Sequence, residues 1–336
     1  MENRKGGQID RLFLHNVESR SIMKMKNVFV VNTSLILLLL AACSALKPTS
    51  TQSAPTAEAL PVTGVQYHFV TNKLLIPTTQ AQTQAFALNL DGNAQNQTDN
   101  KFGELLTLLT SAAPGLQVQS TVDQAVNGGQ LVSLQVVKAD DLQNDPSVSW
   151  SIFEGQRTQS APKFDGTDQL MLDPNAPASS PIVGSLTNGH FTGGPGTARI
   201  QLYLLGQPVE VDLIGVRLEA DLSAKGCTNG KLGGALTVDE FRSKLLPAIV
   251  VGLNQVIKTD PTVAAPLLQT LDTDHNGIIS IQEIENNPVL IVAGSPDLDL
   301  LDASGKFNPG QDGVKDSYSM GLGFTCVPAK FTAPGD

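Results

Sequence analysis

The chain has 336 residues, 41% of them apolar and 16% charged, so it can bury a core and is not disordered throughout. The length suits about two domains, or one large β domain with an attachment. Thirty-two Asp and Glu against 22 Lys and Arg give a net charge of −10, the wrong sign for a nucleic-acid surface, and one Trp with three Tyr leave little for stacking on bases or sugars.

The first element is an export signal. Lys24 and Lys26 precede an apolar run over 28–40, interrupted by Asn32-Thr33-Ser34 and ending Leu40-Ala41-Ala42-Cys43. A basic start, an apolar centre and small residues before a break predict a signal peptide over 1–42. Residues 1–22 carry Arg4, Lys5, Asp10, Arg11, Glu18 and Arg20 without an apolar run, which suggests a start placed too far upstream. The Leu-Ala-Ala-Cys ending resembles the lipobox of bacterial lipoproteins. That resemblance implies a lipid on Cys43, attachment to a membrane through it and, because Ser44 rather than Asp follows, the outer membrane. Two alternatives stay open, a signal cleaved without lipidation and a transmembrane anchor, although the run is short of the roughly 20 apolar residues a span needs. Removing 1–42 takes six Lys/Arg and three Asp/Glu, so 22 and 32 become 16 and 29 and the net charge deepens to −13. Residues 43–63, with Pro48, Pro55 and Pro61 among small polar residues, read as a flexible tether.

A β-rich domain is expected over 64–225. Ile200, Leu202 and Leu204 alternate with Arg199, Gln201 and Tyr203; Val209, Val211 and Leu213 with Glu210 and Asp212; Leu218, Ala220 and Leu222 with Arg217, Glu219 and Asp221. Period two with one wet face predicts antiparallel strands, with turns at Gly206-Gln207-Pro208 and at Gly215. Further strands are expected over 65–70, 131–137, 148–153 and 169–172. Helical turns are expected over 102–109 and, behind Ser120 as N-cap, over 121–126. Short strands with loops such as Gly193-Gly194-Pro195-Gly196 predict an α+β chain whose body is an antiparallel β-sandwich.

Residues 226–317 read as helical. Thr237-Val-Asp-Glu240 has the form of a capping box, with Leu236 and Phe241 as its apolar staple. Phe241, Leu245, Ile249, Leu253, Val256 and Ile257 then recur at helical spacing, with Pro247 predicting a kink. Asp260-Pro261 starts a second helix that carries Leu267, Leu268 and Leu271 into Asp272-Thr-Asp-His-Asn-Gly-Ile-Ile-Ser-Ile-Gln-Glu283. These twelve residues are similar to the EF-hand calcium loop throughout. Oxygen donors fall at positions 1, 3, 5, 9 and 12, which are Asp272, Asp274, Asn276, Ser280 and Glu283, and Ile278 at position 7 offers its carbonyl. Gly277 at position 6 permits the sharp bend, and Ile279 is placed for the short β-contact such loops make with a partner. Three carboxylates and a neutral Asn276 imply Ca²⁺ held more weakly than in a buffer-type site. Ile281 and Ile284 continue into an exit helix cut short near Pro288.

Two weaker acidic stretches admit a second ion or an ordinary solvated loop. One contains Asp297, Asp299, Asp302, Ser304-Gly305, Asp312-Gly313 and Asp316; the other contains Asn89, Asp91-Gly92-Asn93 and Asp99-Asn100. Residues 318–336 return to alternation, with Met320, Leu322, Phe324 and Cys326 on one face. With Cys43 lipidated, Cys227 and Cys326 are expected to pair in an oxidising compartment, two buried thiols being the alternative. The pair would bring the last strand beside the one ending near Ser223, making the EF-hand region an insertion before the last strand.

No hydrolase or phosphate-binding motif is present in the sequence. His68 and His190 read as structural, His275 as a non-ligand inside the loop, and the acids at Asp140-Asp141 and Asp165, Asp168 and Asp173 as loop acids or, less well, a hydrolytic pair. The sequence thus points to a calcium-binding exported lipoprotein that is not an enzyme and binds no nucleic acid. The alternatives are a cell-surface adhesion or ligand-binding module with a protein partner, or a secreted hydrolase.

Overall fold

The computed structural model describes residues 61–93, 98–177, 180–288, 290 and 294–334. The expected signal peptide, Cys43 and most of the tether lie outside these residues. Eight strands run in chain order: β1 (Val65–Leu75), β2 (Ser133–Ala139), β3 (Asn144–Glu154), β4 (Ile182–Thr187), β5 (His190–Leu204), β6 (Gln207–Ser223), β7 (Gly226–Thr237) and β8 (Ser317–Pro328). Each pairs antiparallel with the next, and β8 returns to β1, so the sheet closes into a barrel. The mixed α+β character with a sheet-rich body is as expected, but the sandwich is not. Strand β1 is long enough to pair on both sides: Val65 to Val70 with β2, and Phe69 to Leu75 with β8, across an irregularity at Thr71/Lys73. That double pairing removes the edges a sandwich would keep.

The interior is apolar. Trp150 of β3 is fully buried, with its ring centroid 5.1 Å from that of Phe191 and 6.2 Å from that of Phe324. Its indole N–H donates to Gln135 at 3.1 Å, and the Gln135 amide donates to Thr71 at 2.7 Å, so the polar groups beside the ring are paired. Ile200, Leu202 and Leu204 of β5 are buried opposite Val211, Val209 and Gln207 of β6.

Gly215 is not a turn. β6 passes through it at φ +61°, and the pairing with β7 slips between Ile214 and Arg217. The slip moves the buried set from odd positions (209, 211, 213) to even ones (216, 218, 220, 222), so both alternating runs face the same core. Gly193 to Gly196 is likewise not a loop but an irregularity within β5. The expected strand over 169–172 reduces to isolated bridges, Gly155 with Leu172 and Gln169 with Lys330.

Helices α1 (Gln80–Ala85), α2 (Lys101–Ala112) and α3 (Val118–Asn127) fill the β1–β2 connection. Helix α3 begins at Val118 behind Gln117, without a side-chain cap, so Ser120 is not its N-cap. It touches both β1 and β5, which face each other across the eight-strand ring, and so closes one mouth of the barrel. Helix α2 is capped by Asn100, whose side chain accepts from Gly103 N–H.

A helical segment lies between β7 and β8: α4 (Val238–Glu240), a π-helical turn (Phe241–Leu245), α5 (Leu246–Thr259), α6 (Pro261–Leu271) and α7 (Ile281–Asn286). The segment starts later than expected, because 226–237 is strand β7. Pro247 sits in the first turn of α5, immediately after the π turn, where its missing N–H is tolerated. At Thr237 only half the capping box forms. Thr237 accepts from Glu240 N–H, while the Glu240 carboxylate turns away to accept from Asp212 N–H at 2.8 Å and pairs with Lys244.

Cys227 and Cys326 are register partners on β7 and β8, with Cα atoms 4.9 Å apart and sulfurs placed to form a disulfide. The last strand therefore returns beside β7, not beside β6.

Candidate metal centre

The loop over 272–283 is held at both ends by helix signals. Asp260 caps α6 through Thr262 N–H at 3.0 Å with Pro261 in the first turn, and Val263, Leu267 and Leu271 bury one face of that helix. Asp272 is the C-terminal cap of α6 and the first loop residue. Ser280 is the N-cap of α7 in a complete capping box: Ser280 accepts from Glu283 N–H, and the Glu283 carboxylate accepts from Ser280 N–H at 2.8 Å. His275 at φ +59° and Gly277 at φ +83° make the bend between them.

This path brings oxygens of Asp272, Asp274 and Glu283 within 4.8 Å of one another. Two oxygens on opposite sides of one calcium ion stand about 4.6–5.2 Å apart, so the three fit around a single ion. Asp272 and Glu283 are buried and Asp274 is exposed, giving the site one open side.

Backbone N–H groups shape the cluster. Asp272 accepts from Asn276 at 3.1 Å and Gly277 at 2.8 Å; Asp274 accepts from Asn276 at 3.1 Å; Asn276 accepts from Ile278 at 2.8 Å. Glu283 reaches back across the loop to accept from Thr273 N–H at 2.7 Å and Asp274 N–H at 3.3 Å. The bond from Ser280 N–H first, with those from the Ser280 hydroxyl, Thr273 and Asp274, outweighs desolvation and holds the Glu283 carboxyl down at about 2. A carboxylate has about four lone-pair sites, so Asp272 and Asp274 keep acceptor capacity, while Glu283, which accepts five bonds from Thr273, Asp274 and Ser280, would exchange some of them for an ion. The Ile278 side chain is exposed, and the Ser280 hydroxyl donates to Glu283 at 2.9 Å.

Asn254 of α5 belongs to this site and was not visible in the sequence. Its amide donates to Ile279 C=O at 2.7 Å, and its oxygen accepts from Ile279 N–H at 2.9 Å. In the sequence Asn254 is one of two adjacent polar residues, with Gln255, between Leu253 and Val256, and nothing there sets it apart.

The two weaker acidic stretches are arranged differently. Asp297 accepts from Ser319 N–H, Asp299 from Gly313 N–H, Asp302 from Ser304 N–H, Asp312 from Val314 N–H and Asp316 from Leu301 N–H. Asn89 accepts from Gly92 N–H and Asp91 from Asn93 N–H, while Asp99 accepts from Leu90 N–H at 2.7 Å. Asn89, Asp91, Asp302 and Asp312 close their own turns, Asp99, Asp297, Asp299 and Asp316 tie more distant segments together, and among the described residues only Asp272, Asp274 and Glu283 gather as a group of three. Burial, with Asp91 and Asp297 nearby, pushes the Asp99 carboxyl up to about 6, and burial also raises Asp297.

The other flagged groups are scattered. His68 stacks on Phe331, and His190 is 2.7 Å from Asp221 on the barrel surface. Asp140 accepts from Thr63, Asp141 from Gln143, Asp165 from Thr167, Asp168 from Phe164 and Asp173 from Asn175. Comparison with protein-family models, curated proteins and solved structures finds no match to this chain.

Proposed function

We propose that the loop over 272–283 is an EF-hand that binds Ca²⁺, and that the chain is an exported lipoprotein whose helical segment the ion fastens to the barrel. The observation that carries the calcium reading is the convergence of Asp272, Asp274 and Glu283 within 4.8 Å in the twelve-residue register. Asn276, the Ile278 carbonyl and Ser280 are the remaining ligands of that register, Ser280 through water. A bound Ca²⁺ supplies a hard divalent charge that cross-links α6, the loop and the start of α7. The neutral Asn276 fits an affinity suited to the high calcium met by exported proteins.

The anchor reading rests on the Leu-Ala-Ala-Cys43 motif and the paired Cys227 and Cys326. No helix among the described residues is long and apolar enough to cross a membrane. The faces of β5 and β6 turned away from the core carry Arg199, Asp212 and Glu219, charges that a lipid-facing strand disfavours.

Calorimetric titration of the purified chain with Ca²⁺ and with Mg²⁺ tests the metal reading. Binding of Ca²⁺ that disappears in the Asp272→Ala plus Glu283→Ala variant is expected; no binding by the wild type, or unchanged binding by the variant, refutes it. For the anchor, Cys43→Ser should lose incorporated fatty acid and leave the membrane fraction. A variant that stays membrane-bound would refute it.

A further inference from the structure

Loop position 8 is where an EF-hand ordinarily meets a second loop, backbone to backbone. Here Ile279 is 1% exposed, so its N–H and C=O need partners inside the protein. Both find them on one side chain. The Asn254 carboxamide donates to Ile279 C=O at 2.7 Å and accepts from Ile279 N–H at 2.9 Å, the reciprocal pair of bonds that an antiparallel neighbour would make. The amide is itself oriented by a further bond to Val250 C=O at 3.0 Å. Helix α5, which carries it, is seated on the barrel. Leu253 is fully buried, and Gly252 lies so close to the β5–β6 turn that a Cβ there would stand 3.1 Å from Leu205 C=O.

We propose that Asn254 takes the place of a second calcium loop, as a positioning residue that fixes the ion-binding backbone and lets a single EF-hand work without pairing. The inference rests on the calcium reading above. Ile279 lies between Ile278, whose carbonyl would be a ligand, and Ser280, whose hydroxyl would reach the ion through water. Clamping Ile279 on both sides therefore sets the direction of both donors before the ion arrives. Without the clamp, the edge is free to move, to take up water or to pair with the same edge of another molecule.

The test compares wild type with Asn254→Ala, Asn254→Leu and, as a control on the same helix, Gln255→Ala, which alters an exposed side chain. In metal-free protein, the Ile279 amide should exchange slowly in wild type and Gln255→Ala and much faster in both Asn254 variants. Calcium affinity should fall about ten- to hundredfold in the Asn254 variants, the range expected for two lost hydrogen bonds. It should stay within twofold in Gln255→Ala. Sedimentation of the calcium-loaded protein should show a monomer for wild type and a shift toward dimer for Asn254→Ala. A purely structural Asn254 would lower the melting temperature while leaving affinity unchanged, and that result overturns the proposal, as does equally fast Ile279 exchange in wild type. Failure of the wild type to bind Ca²⁺ is a separate result that sinks the calcium reading itself.

Discussion

Replacing Glu283 by Gln tests whether one carboxylate both folds the loop and holds the ion. Its two oxygens accept from Thr273 N–H, the Thr273 hydroxyl and Asp274 N–H on one side, and from Ser280 N–H and the Ser280 hydroxyl on the other. Gln offers one acceptor oxygen, and its NH₂ would face the donors left on the other side. With the Gln oxygen on the Thr273 side, the two Ser280 bonds to a charged acceptor are lost, and at roughly 1.5–3 kcal/mol each, reduced because the Ser280 hydroxyl can turn to water, the cost is about 2–4 kcal/mol. For a domain of this size that corresponds to a fall of about 5–15 °C in melting temperature. Trp150, the sole Trp and fully buried in the barrel, reports the transition by fluorescence. Calcium at about 100 times its dissociation constant should then stabilise wild type by ~2.7 kcal/mol, and the variant by far less. The pH dependence in EDTA has a definite sign. The folded carboxyl lies at about 2 against an ordinary 4.5, so its contribution is fully present above pH 4.5 and is lost as pH falls toward 2. The gap between wild type and Glu283→Gln should therefore narrow below pH 4.5. An equal calcium-induced shift in both proteins, or a variant as stable as wild type in EDTA, refutes the reasoning.

Cys227 and Cys326 lie 99 positions apart and are buried, so thiol labelling should find them inaccessible to reductant in the native state; reduction in denaturant should then lower stability by up to ~4.7 kcal/mol, measured by refolding with and without reductant. Asp99 should act against stability at neutral pH: its carboxyl is raised from 3.8 to about 6, so the penalty is absent below pH 3.8 and grows to its full value above pH 6. Asp99→Asn should therefore be more stable than wild type at pH 8, by at most about 3 kcal/mol, with the difference vanishing at pH 4 in urea titrations. Gly321→Ala should cost about 1–3 kcal/mol, because a Cβ there would press on Phe86 C=O and the Asn100 amide, which bonds both Gly321 N–H at 2.9 Å and Gly321 C=O at 3.1 Å. A melting curve matching wild type would show that this docking of α2 on β8 is looser than the contacts imply.

The gathering of Asp272, Asp274 and Glu283 was legible because its information is local: on the calcium reading, one continuous segment wraps one ion, which fixes the spacing of its donors. The alternating runs of β5 and β6 were legible for the same reason, since a wet and a dry face repeat every two residues. Gly215 was misread because a turn and a register slip both interrupt alternation, and only the partner strand tells them apart. Strand β7 was missed because Gly226, Gly230, Gly233 and Gly234 dilute its apolar face. Those glycines make room: a Cβ on Gly233 would meet Leu88 and Leu90 at 3.1–3.2 Å, and one on Gly234 would meet Leu213 and Val216. Barrel closure could not be read at all, because it depends on β1 pairing with a strand more than 240 residues away. The role of Asn254 is hidden in the same manner, since its partner Ile279 is 25 positions on.

The strand pair β7–β8 separates the cysteine pair from the proposed ion site. Cys227 faces Cys326 toward one end of the pair, and Thr237 faces Ser317 at the other, where the helical segment leaves and returns. A bond at the first end constrains the ring itself, by tying the last strand of the barrel to the seventh. An ion in 272–283, as proposed above, would act beyond the second end, within a segment whose two ends the ring already holds together. Because those ends are fixed, the entropy of closing the segment is largely spent by the barrel, and what remains for the ion is to order α6 and α7 against α5. Asn254 joins the loop to α5, and Gly252 seats α5 against the β5–β6 turn. The two fastenings share no residue and act at opposite ends, so their contributions to stability should add. That arrangement would suit a chain whose surroundings supply both an oxidant and calcium, and on the calcium reading the barrel is the part expected to survive when calcium is withdrawn.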